Sequence, residues 1–223
     1  MKNKPYFINK KSCIIDKRVE FGENVTIYPN NIILGDTLIE SGTTLKQGNF
    51  IENTVIGEKC TVEQSHISFA EIGDCCYIGP FARIRPGTFI EDNVKIGNFV
   101  EVKNSTIKSG TKASHLSYIG DADIGENCNI GCGVIFANYN GKKKFRTKVG
   151  NNCFIGSNSN IIAPVTIADS CYICAGTTLT VSTSENDFVI ARERETIKPD
   201  RAKNYLIIKN KNTAPLINKG GSK

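Results

Sequence analysis

The chain has 223 residues, enough for one or two domains, and its 39% hydrophobic content, 20 glycines, 7 prolines, single methionine and lack of tryptophan suit short strands and turns better than helical bundles. No segment approaches the ~20 apolar residues of a membrane span, and the amino terminus, MKNKPYFINKKSC, has no apolar run of signal-peptide length, so a soluble, cytoplasmic protein is expected. The net charge of +6 is confined to residues 198–223, where seven Lys or Arg face Asp200 alone; elsewhere the signs balance at 21 each, with no basic face or aromatic-rich motif, which argues against a nucleic-acid partner.

Taken in chain order, an apolar residue recurs at every sixth position through Ile15, Phe21, Ile27, Ile33, Ile39, Leu45 and Ile51. Steps of five and six carry the frame through Ile56, Val62 and Ile67 to a second run, Ile72, Ile78, Ile84, Ile90, Ile96 and Val102. It continues through Ile107, Ala113, Ile119, Ile124, Ile130 and Phe136, then resumes at Val149, Ile155, Ile161, Ile167, Ile173 and Leu179. Neither a helical period nor simple alternation produces this spacing. Glycine often follows the apolar slot, as at Gly22, Gly79, Gly97 and Gly131, where a corner favours a residue without Cβ. Each hexad therefore reads as one short strand plus a corner, and three make a triangular coil of about eighteen residues. Coils stack at the ~4.8 Å spacing of hydrogen-bonded strands. Residues 15–179 then form a parallel β-helix of roughly eight or nine coils around an aliphatic core.

Within that frame His66 sits in an early coil without reactive neighbours and reads as structural. His115, two past the slot at Ala113, has the phosphate-capable Arg85, Lys103, Tyr118 and Lys144 within a few coils. The largest interruption separates Phe136 from Val149; its polar, turn-forming centre predicts a protruding loop over 137–148. Nine cysteines in a reducing compartment read as thiols, and Cys13, Cys60, Cys76, Cys128, Cys153 and Cys171 recur four beyond a slot, as small core residues do. Cys171 and Cys174 form the one C-x-x-C, but an offset of three on a strand sends the two thiols to opposite faces, against a shared metal or disulfide. The expected organisation is a β-helix domain over 1–197 and a basic, solvated tail over 198–223.

The segment Gly79-Pro80-Phe81-Ala82-Arg83-Ile84-Arg85-Pro86-Gly87, with IGNFVEVKN (96–104), KASHLSYIGDADIG (112–125), NIGCG (129–133), NYNGKKKFRT (138–147) and IGSN (155–158), resembles the acetyltransferase domain of the bifunctional N-acetylglucosamine-1-phosphate uridylyltransferase/glucosamine-1-phosphate acetyltransferase family. The resemblance runs from about residue 12 to 195. It implies an all-β, left-handed parallel β-helix acting as a homotrimer, with sites between subunits. It further implies that Arg85, Lys103, Tyr118 and Lys144 hold a sugar phosphate, that His115 is the general base, and that Asn129 contacts substrate. Asn138 and Tyr139 lie on a loop reaching a neighbour's site, and Cys132, Ser157, Ala175 and Arg192 fall where the family contacts acetyl-CoA. The implied reaction is acetyl transfer to glucosamine 1-phosphate in UDP-N-acetylglucosamine and hence cell-wall synthesis, with acetyl-CoA as co-substrate and no metal required.

The chemistry asks for these residue types independently. An amino sugar is mostly protonated near neutrality, and its nitrogen attacks a thioester only after losing a proton, the kind of transfer imidazole serves. Backbone N–H groups of the Gly-rich 129–133 turn suit a developing oxyanion, and Arg, Lys and Tyr suit a phosphate dianion. Two departures from the family pattern stand out: NIGAG is NIGCG here, placing Cys132 near the thioester, and Met1 leads into the repeat by residue 15 with no preceding nucleotidyltransferase. Acetylation without uridylylation is therefore expected, with a separate nucleotidyltransferase as a possible partner. Two alternatives stay open: another acceptor such as galactosamine 1-phosphate, whose epimeric hydroxyl nothing in the sequence distinguishes, and a non-catalytic assembly subunit. Metal-dependent hydration through three histidine ligands is excluded within one chain, since only His66 and His115 exist.

Overall fold

A computed structural model of the chain describes residues 3–204. Short strands of two to four residues wind through three parallel sheets, each strand pairing with the one three places along the chain except at the last turn, where Tyr172–Ile173 pairs with Phe188–Val189 two places on. The first sheet has eleven strands, from Tyr6–Phe7 to Phe188–Val189; the second has ten, from Ile14–Ile15 to Thr178–Leu179; the third has nine, from Glu20–Phe21 to Thr166–Ile167. The chain is a left-handed β-helix of about ten turns. The hexad count misses one strand at each end, because Phe7 and Val189 are only partly buried and lie off the six-residue frame.

The sheets turn the frame into three inward columns. Ile78, Ile96 and Ala113 stack in the first sheet, Ile84, Val102 and Ile119 in the second, and Ile90, Ile107 and Ile124 in the third, all essentially inaccessible. Burying each aliphatic side chain contributes about 1.5–3 kcal/mol, and no other layer supplies a core. The slots reached by steps of five, such as Ile56, Ile67, Ile107 and Ile124, are as buried as the regular ones.

Five of the cysteines singled out as core, Cys60, Cys76, Cys128, Cys153 and Cys171, are buried, and each donates its thiol to a carbonyl one coil further on, such as Gly73 O (3.0 Å) and Gly150 O (3.0 Å). Cys13 is only half-buried, because it lies in the thin first coil. The opposite-face argument for Cys171 and Cys174 does not hold: both are buried, because the strand ends at Ile173 and the chain has entered a corner by Cys174. All nine cysteines are free thiols.

Corners between the third and first sheets use asparagine and glycine in the left-handed region, as at Asn93 (φ 59°), Gly110 (φ 74°) and Asn127 (φ 53°). Corners between the first and second sheets instead place Phe81 (φ 61°), Phe99 (φ 56°) and Leu116 (φ 47°) there, a conformation that costs such residues about 1–3 kcal/mol each. Gly97, just before this corner, has no room for a side chain: a Cβ would lie 1.9 Å from the Ser114 carbonyl oxygen of the next coil. Gly97→Ala is therefore expected to destabilise the fold by about 1–3 kcal/mol, read as a lower urea midpoint, and to part the strands that carry Asn98 and His115.

Residues Met1–Arg192 form one compact unit and Glu193–Lys223 a second. Among the described residues, no helix is long and apolar enough to cross a membrane. The basic tail expected over 198–223 lies mostly outside the described residues.

Candidate active site

Coil register decides which polar side chains meet. Lys95 pairs with Lys112 and Lys112 with Asn129, steps of seventeen residues. Asn98 is thereby placed beside His115. Carrying the same register two residues past Ala113↔Ile130 brings Cys132 to the next level of this corner. Asn158 N donates to Cys132 O (2.8 Å) and Gly176 N to Ser157 O (2.8 Å), so Ser157 and Ala175 continue the column. Asn98, His115, Cys132, Ser157 and Ala175 thus line one edge of the helix, and Arg192 donates to Ala175 O (2.8 Å) at its far end. Three of these positions carry small side chains, and Gly156 is packed so closely behind that a Cβ would lie 2.3 Å from Ala175 N.

The His115 ring is exposed and its Nδ1 lies 2.7 Å from Asn98 Oδ1. An amide oxygen only accepts, so this contact calls for the proton on Nδ1 and leaves Nε2 with a free lone pair. Ser117 Oγ donates to His115 O (2.9 Å) and to Gly131 O (3.0 Å), fixing the backbone around the ring. Asn129 is exposed on the first sheet between Lys112 and Phe154, away from that column.

A second cluster stands where the second sheet turns into the third. Lys103 Nζ reaches both oxygens of Asp121 (3.2 and 3.1 Å), and Asn104 Nδ2 donates to Asp121 Oδ1 (2.6 Å). Asn138 Nδ2 donates to Asp121 Oδ2, joining the loop to the same carboxylate. Lys103, Asn104, Asp121, Lys144, Phe145 and Arg146 line a cavity of about 440 Å³. Arg85 is held by Glu101 (2.8 Å), a half-exposed pair worth under about 1 kcal/mol that leaves the guanidinium available. The Tyr118 ring lies flat over Gly120, where a Cβ would meet its hydroxyl at 2.5 Å, so the phenol is laid toward Lys103, which pairs with Gly120.

Burial pushes the Asp121 carboxyl up, but the hydrogen bonds from Asn104, Lys103 and Asn138 outweigh it and hold the group below the usual carboxylate range. Burial likewise pushes Lys103 down, and Asp121 more than offsets it, keeping the ammonium charged. Lys144 is exposed, and the neighbouring Lys103 ammonium lowers its amine below the ordinary lysine value, with a smaller contribution from Arg85.

The predicted loop is an ordered hairpin. Tyr139 and Lys144 form an antiparallel bridge, Phe145 N donates to Asn138 O (2.8 Å), and Asn140 Oδ1 accepts from the N–H groups of Lys142 (3.0 Å) and Lys143 (2.9 Å). Asn138 is buried at its base, whereas Tyr139 is exposed, its hydroxyl donating to Gly141 O (2.7 Å). Arg146 closes the other end on Asp123 and on Asn104 O (2.9 Å). His66, by contrast, stacks on Phe50 with ring centroids 4.5 Å apart.

The structure therefore brings Arg85, Lys103, Tyr118 and Lys144 together, puts His115 in line with Cys132, Ser157 and Ala175, and leaves Asn129 apart. Asn98, Asn104, Asp121 and Arg146 escape a reading of the sequence alone. All four lie inside segments quoted above as motifs, but what each does depends on a partner one coil away.

The model of the bacterial transferase hexapeptide family (six repeats) matches residues 69–104 and 146–180, on both sides of the hairpin. Residues 69–104 and 146–180 are thus hexapeptide repeats of that family's kind. Over 198 residues it is 44% identical to the bifunctional protein GlmU of Clostridium acetobutylicum and 46% identical to that of Clostridium kluyveri, covering 89% of this chain and 43% of each relative. Against the bifunctional protein GlmU of Caldicellulosiruptor saccharolyticus the identity is 49% over 187 residues, 84% of this chain and 40% of the relative. The chain thus spans less than half the length of the curated relatives it matches. A solved structure of Arabidopsis UDP-N-acetylglucosamine acyltransferase superposes with a TM-score of 0.50 at 18% identity, covering 80% of this chain and 69% of the other, a likeness of fold. In this hexapeptide-repeat chain no group of three or more His, Cys, Asp or Glu side chains converges as a metal site among the described residues.

Proposed function

We propose that this chain transfers an acetyl group from acetyl-CoA to the amine of glucosamine 1-phosphate, giving N-acetylglucosamine 1-phosphate for UDP-N-acetylglucosamine synthesis. The observation that carries the reading is the placement of His115, at the foot of the Cys132–Ser157–Ala175 edge and three residues from Tyr118, whose ring leads to the Lys103 cluster. A general base between an acyl-donor track and a phosphate cradle is what N-acetylation of an amino sugar phosphate requires.

The edge fits the pantetheine arm of acetyl-CoA. Among the described residues the N–H groups of Cys132, Ser157 and Ala175 have no backbone acceptor, so an extended chain bearing amide carbonyls finds one donor per coil, and small side chains let it approach. Arg192, donating to Ala175 O at the far end, suits the phosphates of coenzyme A. Acetyl-CoA supplies the thioester; Arg85, Lys103, Lys144 and Tyr118 hold the acceptor's phosphate, Asn129 contacts substrate, and His115 Nε2 takes the amine proton. The exposed Tyr139 hairpin, with Asn138 at its base, supports a homotrimer in which each loop completes a neighbouring site. The setting is the cytoplasm, where both substrates occur.

Purified protein is expected to release free coenzyme A, read with a thiol reagent, only when glucosamine 1-phosphate is present. Release with neither this acceptor nor galactosamine 1-phosphate sinks the proposal, and the ratio of kcat/KM for the two identifies the acceptor.

A further inference from the structure

Asp121 is the buried carboxylate of the second cluster, and no role in the proposed reaction has so far been given to it. Its side chain is 8% exposed and takes hydrogen bonds from three side chains on two stretches: the adjacent Lys103 and Asn104, and Asn138 at the base of the hairpin. A buried carboxylate persists only when its charge and lone pairs are met, and these three donors meet them. Two residues on, Asp123 takes Arg146, so the hairpin begins on one carboxylate of the Gly-Asp-Ala-Asp segment and ends on the other. The same side chain that fixes Lys103 therefore also fixes the entry of the loop that carries Tyr139 and Lys144.

We infer that Asp121 is the positioning residue of the phosphate cradle: it holds Lys103 and, through Asn138, the hairpin, so that the anionic acceptor meets cations already in place. The inference rests on the acetyl-transfer reading for the identity of that acceptor. Its physical basis is charge. Arg85, Lys103 and Lys144 crowd one region and repel one another. Arg85 has Glu101, but among the described residues Asp121 is the carboxylate that pairs with Lys103, and its exposed neighbour Lys144 already feels that ammonium. Without the central carboxylate Lys103 would swing out or give up its proton, and the loop would lose its first anchor. Asp121 itself repels a phosphate, so it stabilises binding only by organising the cations around it.

Two variants test this, with two readouts. In Asp121→Ala the KM for glucosamine 1-phosphate is expected to rise at least tenfold while kcat changes less than threefold, the signature of a lost binding contribution. Asp121→Asn, which keeps the shape and two of the hydrogen-bonding partners but not the charge, is expected to fall between. Trypsin cleavage after Lys142, Lys143 or Lys144 of the folded protein is expected to quicken about tenfold in Asp121→Ala, a readout that needs no acetyl transfer. If Asp121→Ala does not fold, Asp121→Asn carries both readouts. Unchanged KM and unchanged loop cleavage in a folded variant overturn the inference, as does a loss confined to kcat. Wild-type protein that fails to acetylate refutes the acetyl-transfer reading instead, and the cleavage comparison still decides whether Asp121 anchors the loop.

Discussion

Replacing His115 by alanine is expected to lower kcat for acetyl transfer about 10²–10⁴-fold while changing KM for either substrate only a few-fold. The reacting nitrogen must shed a proton to attack the thioester, and the loss corresponds to about 2.7–5.5 kcal/mol of barrier. His115 touches neither the Lys103 cluster nor the far end of the Cys132–Ser157–Ala175 edge through any hydrogen bond seen here, so both binding regions survive its removal. Asn98 sets the tautomer, accepting from Nδ1–H at 2.7 Å and leaving the Nε2 lone pair free, which the proposed reaction uses on the amine. Asn98→Ala is accordingly a milder version of the same defect, with kcat reduced and KM retained. Steady-state kinetics with varied acceptor check the split, and added imidazole is expected to restore part of the His115→Ala rate. A variant that keeps wild-type turnover removes His115 as the base.

What the sequence makes legible here follows from what each position must do. An apolar slot has to be filled in every coil, so its period survives the slips; Ile56, Ile67, Ile107 and Ile124 follow from the frame alone and are all buried. Outward residues obey no such rule. Asn98 meets His115 because their coils step by seventeen residues, whereas Thr61 to Tyr77 is a step of sixteen and Asn129 to Phe154 one of twenty-five. Since side chains one position out of step face elsewhere, the columns that assemble Asn98 with His115 or Asp121 with Lys103 and Asn138 need the register itself. The same limit explains the C-x-x-C, where alternation along the strand does not carry past the corner to Cys174. Left-handedness came with the resemblance, and hexad spacing alone does not contain it. Arg85, Lys103, Tyr118 and Lys144 could be named together because phosphate chemistry selects their side-chain types; Asp121, of the opposite sign, is the residue such a search discards.

The second large effect is on stability. Phe136 is fully buried and occupies a slot held by Ile, Val or Leu in the neighbouring coils of the second sheet, where it is followed in the column by Ile161. It closes the coil that carries the hairpin, and its ring fills the core immediately before Ala137 and Asn138 lead the chain outward. Phe136→Ala is expected to cost about 3–5 kcal/mol, the transfer term of the ring plus the cavity it leaves, because strands pinned on both sides cannot collapse into the space. That is a large share of the roughly 5–15 kcal/mol that keeps a domain folded. A solenoid is held by contacts between neighbouring coils, so the defect divides it: His115, Lys103 and Arg85 lie before the damaged coil, and Ser157, Ala175 and Arg192 after it. Urea unfolding is expected to show a much lower midpoint, together with an early transition belonging to residues after 136, while Phe136→Leu, which keeps most of the volume, stays within about 1.5 kcal/mol of wild type. At sub-denaturing urea Phe136→Ala should then lose acetyl-CoA binding and hold glucosamine 1-phosphate only weakly, because the early transition takes Ser157, Ala175 and Arg192 together with the hairpin's Lys144 and leaves Arg85, Lys103 and Tyr118 in the folded half.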